Sequence, residues 1–193
     1  MENTLIKRES IIFTTIDLIN ESGFQGVSTR EVARRQGISQ GSVFQYFPKK
    51  NDLLAAVLDH FSLYDNDLFY STKIRNRNPR EAILYYIDAY AAYQENYPAI
   101  AALNQAYGVL YNDPDLGGRV KEIFANRANF LKQLLEEAQA EGFINREADS
   151  EALADIIASV QRGLCLKWRM EDHRFSLRER TLQSVGMLLD AFS

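Results

Sequence analysis

Two short runs, Ser28-Thr29-Arg30-Glu31 and Ser39-Gln40-Gly41-Ser42-Val43-Phe44-Gln45-Tyr46, gather hydroxyls, amides and a guanidinium at spacings suited to reading nucleic acid. Arginine can donate two parallel bonds to a guanine edge, and glutamine can match adenine with its amide. Hydroxyls and lysines hold phosphate oxygens. On that chemistry Arg30, Gln40 and Gln45 are candidates for base edges, and Thr29, Ser42, Tyr46 and Lys50 for phosphates. Ser28, Ser39, Gly41 and Phe44 complete the candidate surface. The competing reading of each is a solvated helix face. Catalysis finds no such support. The two histidines, His60 and His173, lie far apart, no Cys, Asp or Glu cluster has metal-ligand spacing, and neither a phosphate loop nor a nucleophile elbow occurs. No enzyme, cofactor or metal is therefore expected.

These residues need two helices to carry them. Ser28 and Glu31 stand three apart, so the serine hydroxyl can cap the Glu31 N–H while the glutamate reaches back to the serine N–H, starting a helix at Thr29. Val32 and the small Ala33 form its apolar face. Gly37 offers the left-handed conformation that ends a helix, and after Ile38 the hydroxyl of Ser39 can cap the next one. There Val43, Tyr46 and Phe47 can face inward, leaving Gln40, Gly41, Ser42 and Gln45 outside. Pro48 closes the element. Ala33, Gly37 and Val43 fall at the offsets of a helix-turn-helix.

The first seventy or so residues resemble a TetR-family transcriptional regulator. The likeness runs through Arg8, Ile11, Ile12, Leu18 and Ile19 of a first helix, Gly23-Phe24, Ser28 to Ala33, Gly37 to Phe47, then Lys50, Asp52, Leu53 and Leu54. It implies an all-α protein with an N-terminal three-helix DNA-binding domain and a C-terminal helical domain for effector binding and dimerisation. Two positions depart from the pattern. The family usually has tyrosine where this chain has Phe44, so one phosphate contact is lost, and a variable, often basic or aromatic residue stands where this chain has Gln45.

Composition agrees. The chain of 193 residues, 46% hydrophobic with only 4 Pro and 10 Gly, suits a compact helical protein of one or two domains. Residues 1–60 balance seven basic against seven acidic groups, so the formal charge of −4 belongs to the remainder. A neutral head with clustered Arg and Lys can hold phosphates, with modest, salt-sensitive non-specific affinity. No apolar run is long enough to span a bilayer, and Met1-Glu2-Asn3-Thr4 does not begin a signal peptide, so a cytoplasmic protein, on the nucleoid when bound to DNA, is expected. The one cysteine, Cys165, fits a reducing compartment and reads as a small core residue.

Beyond the head the pattern predicts helices throughout, about nine in all. A fourth runs from Lys50 to about Tyr70 and is broken by Arg75-Asn76-Arg77-Asn78-Pro79. A fifth follows from Arg80, a sixth from Pro98, and a seventh from the turn Asn112 to Asp115 as far as Gly142. Asp149 and Ser176 cap the eighth and ninth. The expected division is residues 1–50 for DNA and 51–193 for effector and dimer.

Two further surfaces are expected. Val160, Gly163 and Leu164 of the eighth helix, with Val185, Leu189 and Phe192 of the ninth, make narrow apolar stripes around a glycine. In the family this resembles a bundle made by two subunits, and the competing reading is packing within one chain. Nine of the ten tyrosines lie after residue 60. Tyr64, Tyr86, Tyr90, Tyr107, Leu103, Phe124 and Trp168 suit walls for a largely apolar effector. His60, Asn104, Arg127 and Gln161 interrupt apolar stripes as candidate polar anchors; a rimmed core explains the aromatics as well, and a structural ion pair explains Arg127. The expected partners are duplex operator DNA, a second copy and a small effector. The alternative is a DNA-bound assembly or architectural protein whose C-terminal part binds a protein.

Overall fold

Local capping sets most helix starts in this computed structural model, which describes residues 2–74 and 78–193, leaving aside the side chains of 2–6 and of 105. The described residues form nine α-helices and one short 3-10 turn. The helices are α1 (Glu2–Ser22), α2 (Thr29–Gln36), α3 (Gln40–Tyr46), α4 (Lys50–Ile74), α5 (Pro79–Asn96), α6 (Pro98–Leu110), α7 (Gly117–Ala140), α8 (Ser150–Met170) and α9 (Leu177–Ala191), and the turn is Phe24–Gly26. Side chains of Asn78, Asp149 and Ser176 accept the first free N–H groups of α5, α8 and α9. Each spares the helix an unmet donor. Prolines stand at the first positions of α5 and α6, where no N–H is needed. The expected break after α4 falls partly on residues 75–77, outside the described residues. The turn before α7 is held by Asp113, whose carboxylate accepts the N–H groups of Asp115 and Leu116. Gly117 follows because a Cβ there would lie 2.4 Å from the Tyr111 carbonyl oxygen.

The helices fall into two compact units, one made of residues up to Leu63 with Pro98–Glu122, the other of Tyr64–Tyr97 with Ile123–Ser193. In the first, α1 packs on α2 and α6, and α2 packs on α3. Ile11, Ile16, Ile19, Val32, Val43, Phe47, Leu53, Val57 and Leu58 are buried in it. Each such side chain leaving water is worth about 1.5–3 kcal/mol, which holds α2 on α1 and α3 on α2. Asn51, at the start of α4, donates to the carboxylates of Asp113 and Asp115.

In the second unit α9 packs on both α5 and α8. Its core joins Leu68, Ile83, Tyr86, Ile87, Tyr90, Phe130, Leu131, Leu134, Leu135, Leu153 and Ile157 with Val185 and Leu189. Val185 and Leu189 are wholly buried inside their own chain, so they cannot form the expected interface. A stripe of apolar residues does not reveal which helix will cover it, and here α5 and α8 do. Phe192 is partly buried against the same core. Val160 and Leu164 are half-buried and Gly163 is exposed, with no atom of the chain near the place of a Cβ.

Candidate nucleic-acid interface

The interface is built from the Ser28 cap onward. Ser28 lies in extended backbone and its hydroxyl accepts the Glu31 N–H at 3.1 Å, so α2 begins at Thr29. Only this half of the expected reciprocal cap forms. The Glu31 carboxylate turns along the helix to Arg34, at 2.7 and 2.8 Å, and to Arg35 at 3.1 Å. Arg35 is also held by Glu21 of α1 through two bonds of 2.7 and 2.6 Å. The guanidinium of Arg34, then that of Arg35, holds the Glu31 carboxyl down to about 2. Arg34 and Arg35 thus come to the surface already neutralised, whereas Arg30, Lys49 and Lys50 are exposed and have no ion pair among the described residues.

The turn is set by Gly37 at φ 64°, ψ 28°, where any side chain would be strained. Its N–H meets the Arg34 carbonyl, and the Ile38 N–H meets that of Ala33. Gln36 ties α2 to α1 by accepting from the Ser10 hydroxyl and donating to the Ser10 carbonyl and the Thr14 hydroxyl. Ser39 caps α3 by accepting the Ser42 N–H at 3.1 Å, and its hydroxyl lies 2.8 Å from that of Ser42. Val43 and Phe47 are buried, and the Arg8 guanidinium covers the Phe47 ring at 5.1 Å. Tyr46 is only half-buried.

What remains outward is Arg30 on α2, Gln40, Gly41, Phe44 and Gln45 on α3, and Lys50 at the start of α4. Thr29 is not among them. It is buried, and its hydroxyl accepts the Gln40 side-chain N–H at 3.0 Å, so it orients Gln40 where a phosphate contact was expected. No sequence signal pointed to that bond, because its partners sit on different helices. The clamp on Arg34 and Arg35 was half visible, in the three- and four-residue spacing from Glu31.

The expected effector residues divide between the units. His60, Leu103, Asn104 and Tyr107 belong to the first. There Leu103 is fully buried, and His60 sits edge-on to Phe13 and Phe61, where burial keeps it below its ordinary pKa. In the second unit Tyr64, Tyr86, Tyr90 and Arg127 come together around Asp65. Arg127 Nε donates to Asp65 Oδ2 at 2.7 Å, and its guanidinium lies 4.9 Å from the Tyr90 ring. Burial pushes the Asp65 carboxyl above its usual range, and Arg127 pulls it part of the way back. Tyr86 is buried beside them, and Tyr64 stacks on Tyr93. Arg127 is therefore a member of a buried ion pair, which answers its charge without an anionic ligand. Phe124 is exposed beneath Arg162, Trp168 is buried against His173, and the buried Nε2 of Gln161 meets no hydrogen-bond partner among the described residues. Among the described residues no group of His, Cys, Asp and Glu could hold a metal, and no helix is long and apolar enough to cross a membrane.

Residues 11–57, which span α2, the turn and α3, match the model of bacterial regulatory proteins of the tetR family. A nucleoid occlusion factor SlmA from Glaesserella parasuis is 23% identical over 163 residues, 83% of this chain and 80% of its own. An HTH-type transcriptional repressor of Mycobacterium tuberculosis is 31% identical over 120 residues, 58% of this chain and 63% of its own. The Bacillus subtilis transcriptional regulator FadR, solved in complex with stearoyl-CoA, shares the fold with a TM-score of 0.80 at 20% identity, covering 94% of this chain and 96% of that one. The glycine turn, the two capped helices and the outward amides are thus those of a helix-turn-helix DNA-binding segment, and residues 11–57 match that segment of the tetR family of bacterial regulatory proteins.

Proposed function

We propose that the chain is a homodimeric repressor that binds a palindromic operator and leaves it when a small, largely apolar molecule binds its C-terminal helices. The observation that carries the reading is the outward face of α2 and α3, where Arg30, Gln40 and Gln45 stand exposed on a rigidly capped pair of helices. A second copy is supported by an exposed apolar face, Ile156, Gly163, Leu166 and Met170 on α8 and Met187 on the adjoining α9. Paired α3 helices would meet two half-sites separated by turns of the duplex. The aromatic second unit supports an apolar effector, and the stearoyl-CoA in the complex with B. subtilis FadR carries an acyl chain of that class. With Asp65 already beside Arg127, a neutral effector serves as well as an acid. Binding must favour the DNA-incompetent form, since equal affinity for both forms shifts nothing.

The likeness to a nucleoid occlusion factor favours a second reading, a DNA-bound protein whose C-terminal helices dock another protein. Selection of bound genomic fragments separates the two. A few sites in front of genes, released by members of a panel of hydrophobic neutral and acidic compounds, support the repressor. Many dispersed sites and no release by any compound support the assembly protein. In sedimentation, a monomer at micromolar concentration, free and on DNA, would overturn the dimer.

A further inference from the structure

Phe44 stands outside the buried core of α3. Within α3 the core positions belong to Val43 and Phe47, while the Phe44 ring is 42% exposed on the side that carries Gln40 and Gly41. An exposed phenyl contributes little to packing, and it can neither donate nor accept a hydrogen bond, so it has nothing to offer a phosphate. In the major groove one apolar group is presented by the bases, the C5-methyl of thymine, and phenylalanine is among the side chains that contact it.

The neighbours point to the same base pair. Gln40 lies four residues earlier on this face, and one of its amide hydrogens is engaged by Thr29 at 3.0 Å. The other hydrogen and the carbonyl oxygen remain for adenine N7 and N6, the two-bond match of glutamine. Gly41 between them adds no side chain, and the space beside it is open except for the Ser39 hydroxyl at 3.6 Å, so the groove floor can come close. The helix from Gln40 to Tyr46 holds no arginine or lysine, the residues that read guanine with two bonds.

We infer that Phe44 is a specificity-determining residue that packs on thymine methyl groups, making α3 a reader of A·T pairs. The inference rests on the operator-binding reading. Its test uses the full chain and the duplex obtained by selection, with each thymine replaced in turn by deoxyuridine, which pairs identically and lacks only the methyl. The wild type should lose about fourfold in affinity at one or two thymines per half-site, the factor carried by one methyl leaving water. Phe44→Ala should bind the thymine and deoxyuridine duplexes equally, and Phe44→Leu should keep the discrimination. Thymine and deoxyuridine are compared within each variant, so the readout does not depend on any change in its melting temperature. Wild-type indifference to deoxyuridine at every position would overturn the inference while leaving the operator reading intact. So would a penalty that persists in Phe44→Ala, since another residue would then be reading the methyl. Failure to enrich any sequence would overturn both.

Discussion

Two clusters of opposite charge show how one chemistry does different work at different depths. On the DNA-binding surface Glu21, Glu31, Arg34 and Arg35 form an exposed network, and the side chain of Arg34 is 69% accessible. In the second unit Asp65 and Arg127 form one pair whose side chains are 7% and 14% accessible. Exposed pairs are screened by water and add little to stability. Their consequence is for binding, because two arginines beside the recognition helix are withheld from phosphate. The buried pair has the reverse character. Removing either partner strands a charge in an apolar core, whereas removing both costs little.

The largest effect is expected at the buried pair. Asp65→Asn and Arg127→Met should each lower the unfolding free energy by about 3–5 kcal/mol, and Asp65→Leu combined with Arg127→Met should restore most of it. Urea unfolding of the three variants tests this, and a double variant as weak as the singles would refute it. The pH dependence has a defined sign. The folded Asp65 carboxyl titrates above its unfolded value, so its unfavourable contribution is full above the folded pKa and relieved as pH falls toward the ordinary carboxylate range. Without Arg127 nothing pulls it down, so Arg127→Met should regain stability relative to the wild type as pH falls toward the ordinary carboxylate range.

A smaller loss is expected where backbone geometry sets the interface. Gly37→Ala forces a side chain into the left-handed region and should cost about 1–2 kcal/mol. Ser28→Ala removes the α2 cap and should cost about 1 kcal/mol. Thermal melts check both, and an unchanged melting temperature in Gly37→Ala would mean that the turn relaxes.

The exposed network should scarcely register in stability but should register on DNA. Glu21→Gln with Glu31→Gln frees Arg34 and Arg35, so affinity for random duplex should rise and its log–log salt slope should steepen by about 0.9 for each arginine that reaches a phosphate. An unchanged slope would show that these arginines face away from the duplex. Because the Glu31 carboxyl is held down to about 2, the clamp persists through the physiological range. Its small contribution is lost only as pH falls from the ordinary carboxylate range toward that value.

The helix starts and the turn were legible because their causes are local. Ser28, Ser39, Asp149 and Ser176 each meet an N–H two or three residues ahead, and Gly37 ends α2 in the left-handed conformation that glycine adopts without strain. Interactions across the chain were not legible. Arg127 advertised a need for a partner, but Asp65 lies 62 residues away and looks like any helix acid. Thr29 and Gln40 meet only because α2 folds back on α3. Val185 and Leu189 showed a buried stripe without naming its cover, and a core stripe and an interface stripe have the same spacing. Sequence exposes what neighbours along the helix decide and conceals what the fold brings together.

The most direct test of the account is the affinity of the full chain for its selected operator and for random duplex across a range of salt concentrations. A gap of about a thousandfold or more should persist as both weaken, and Arg30→Ala should narrow it by weakening the operator far more than random DNA. Equal affinity for the two duplexes at every salt concentration would contradict the account.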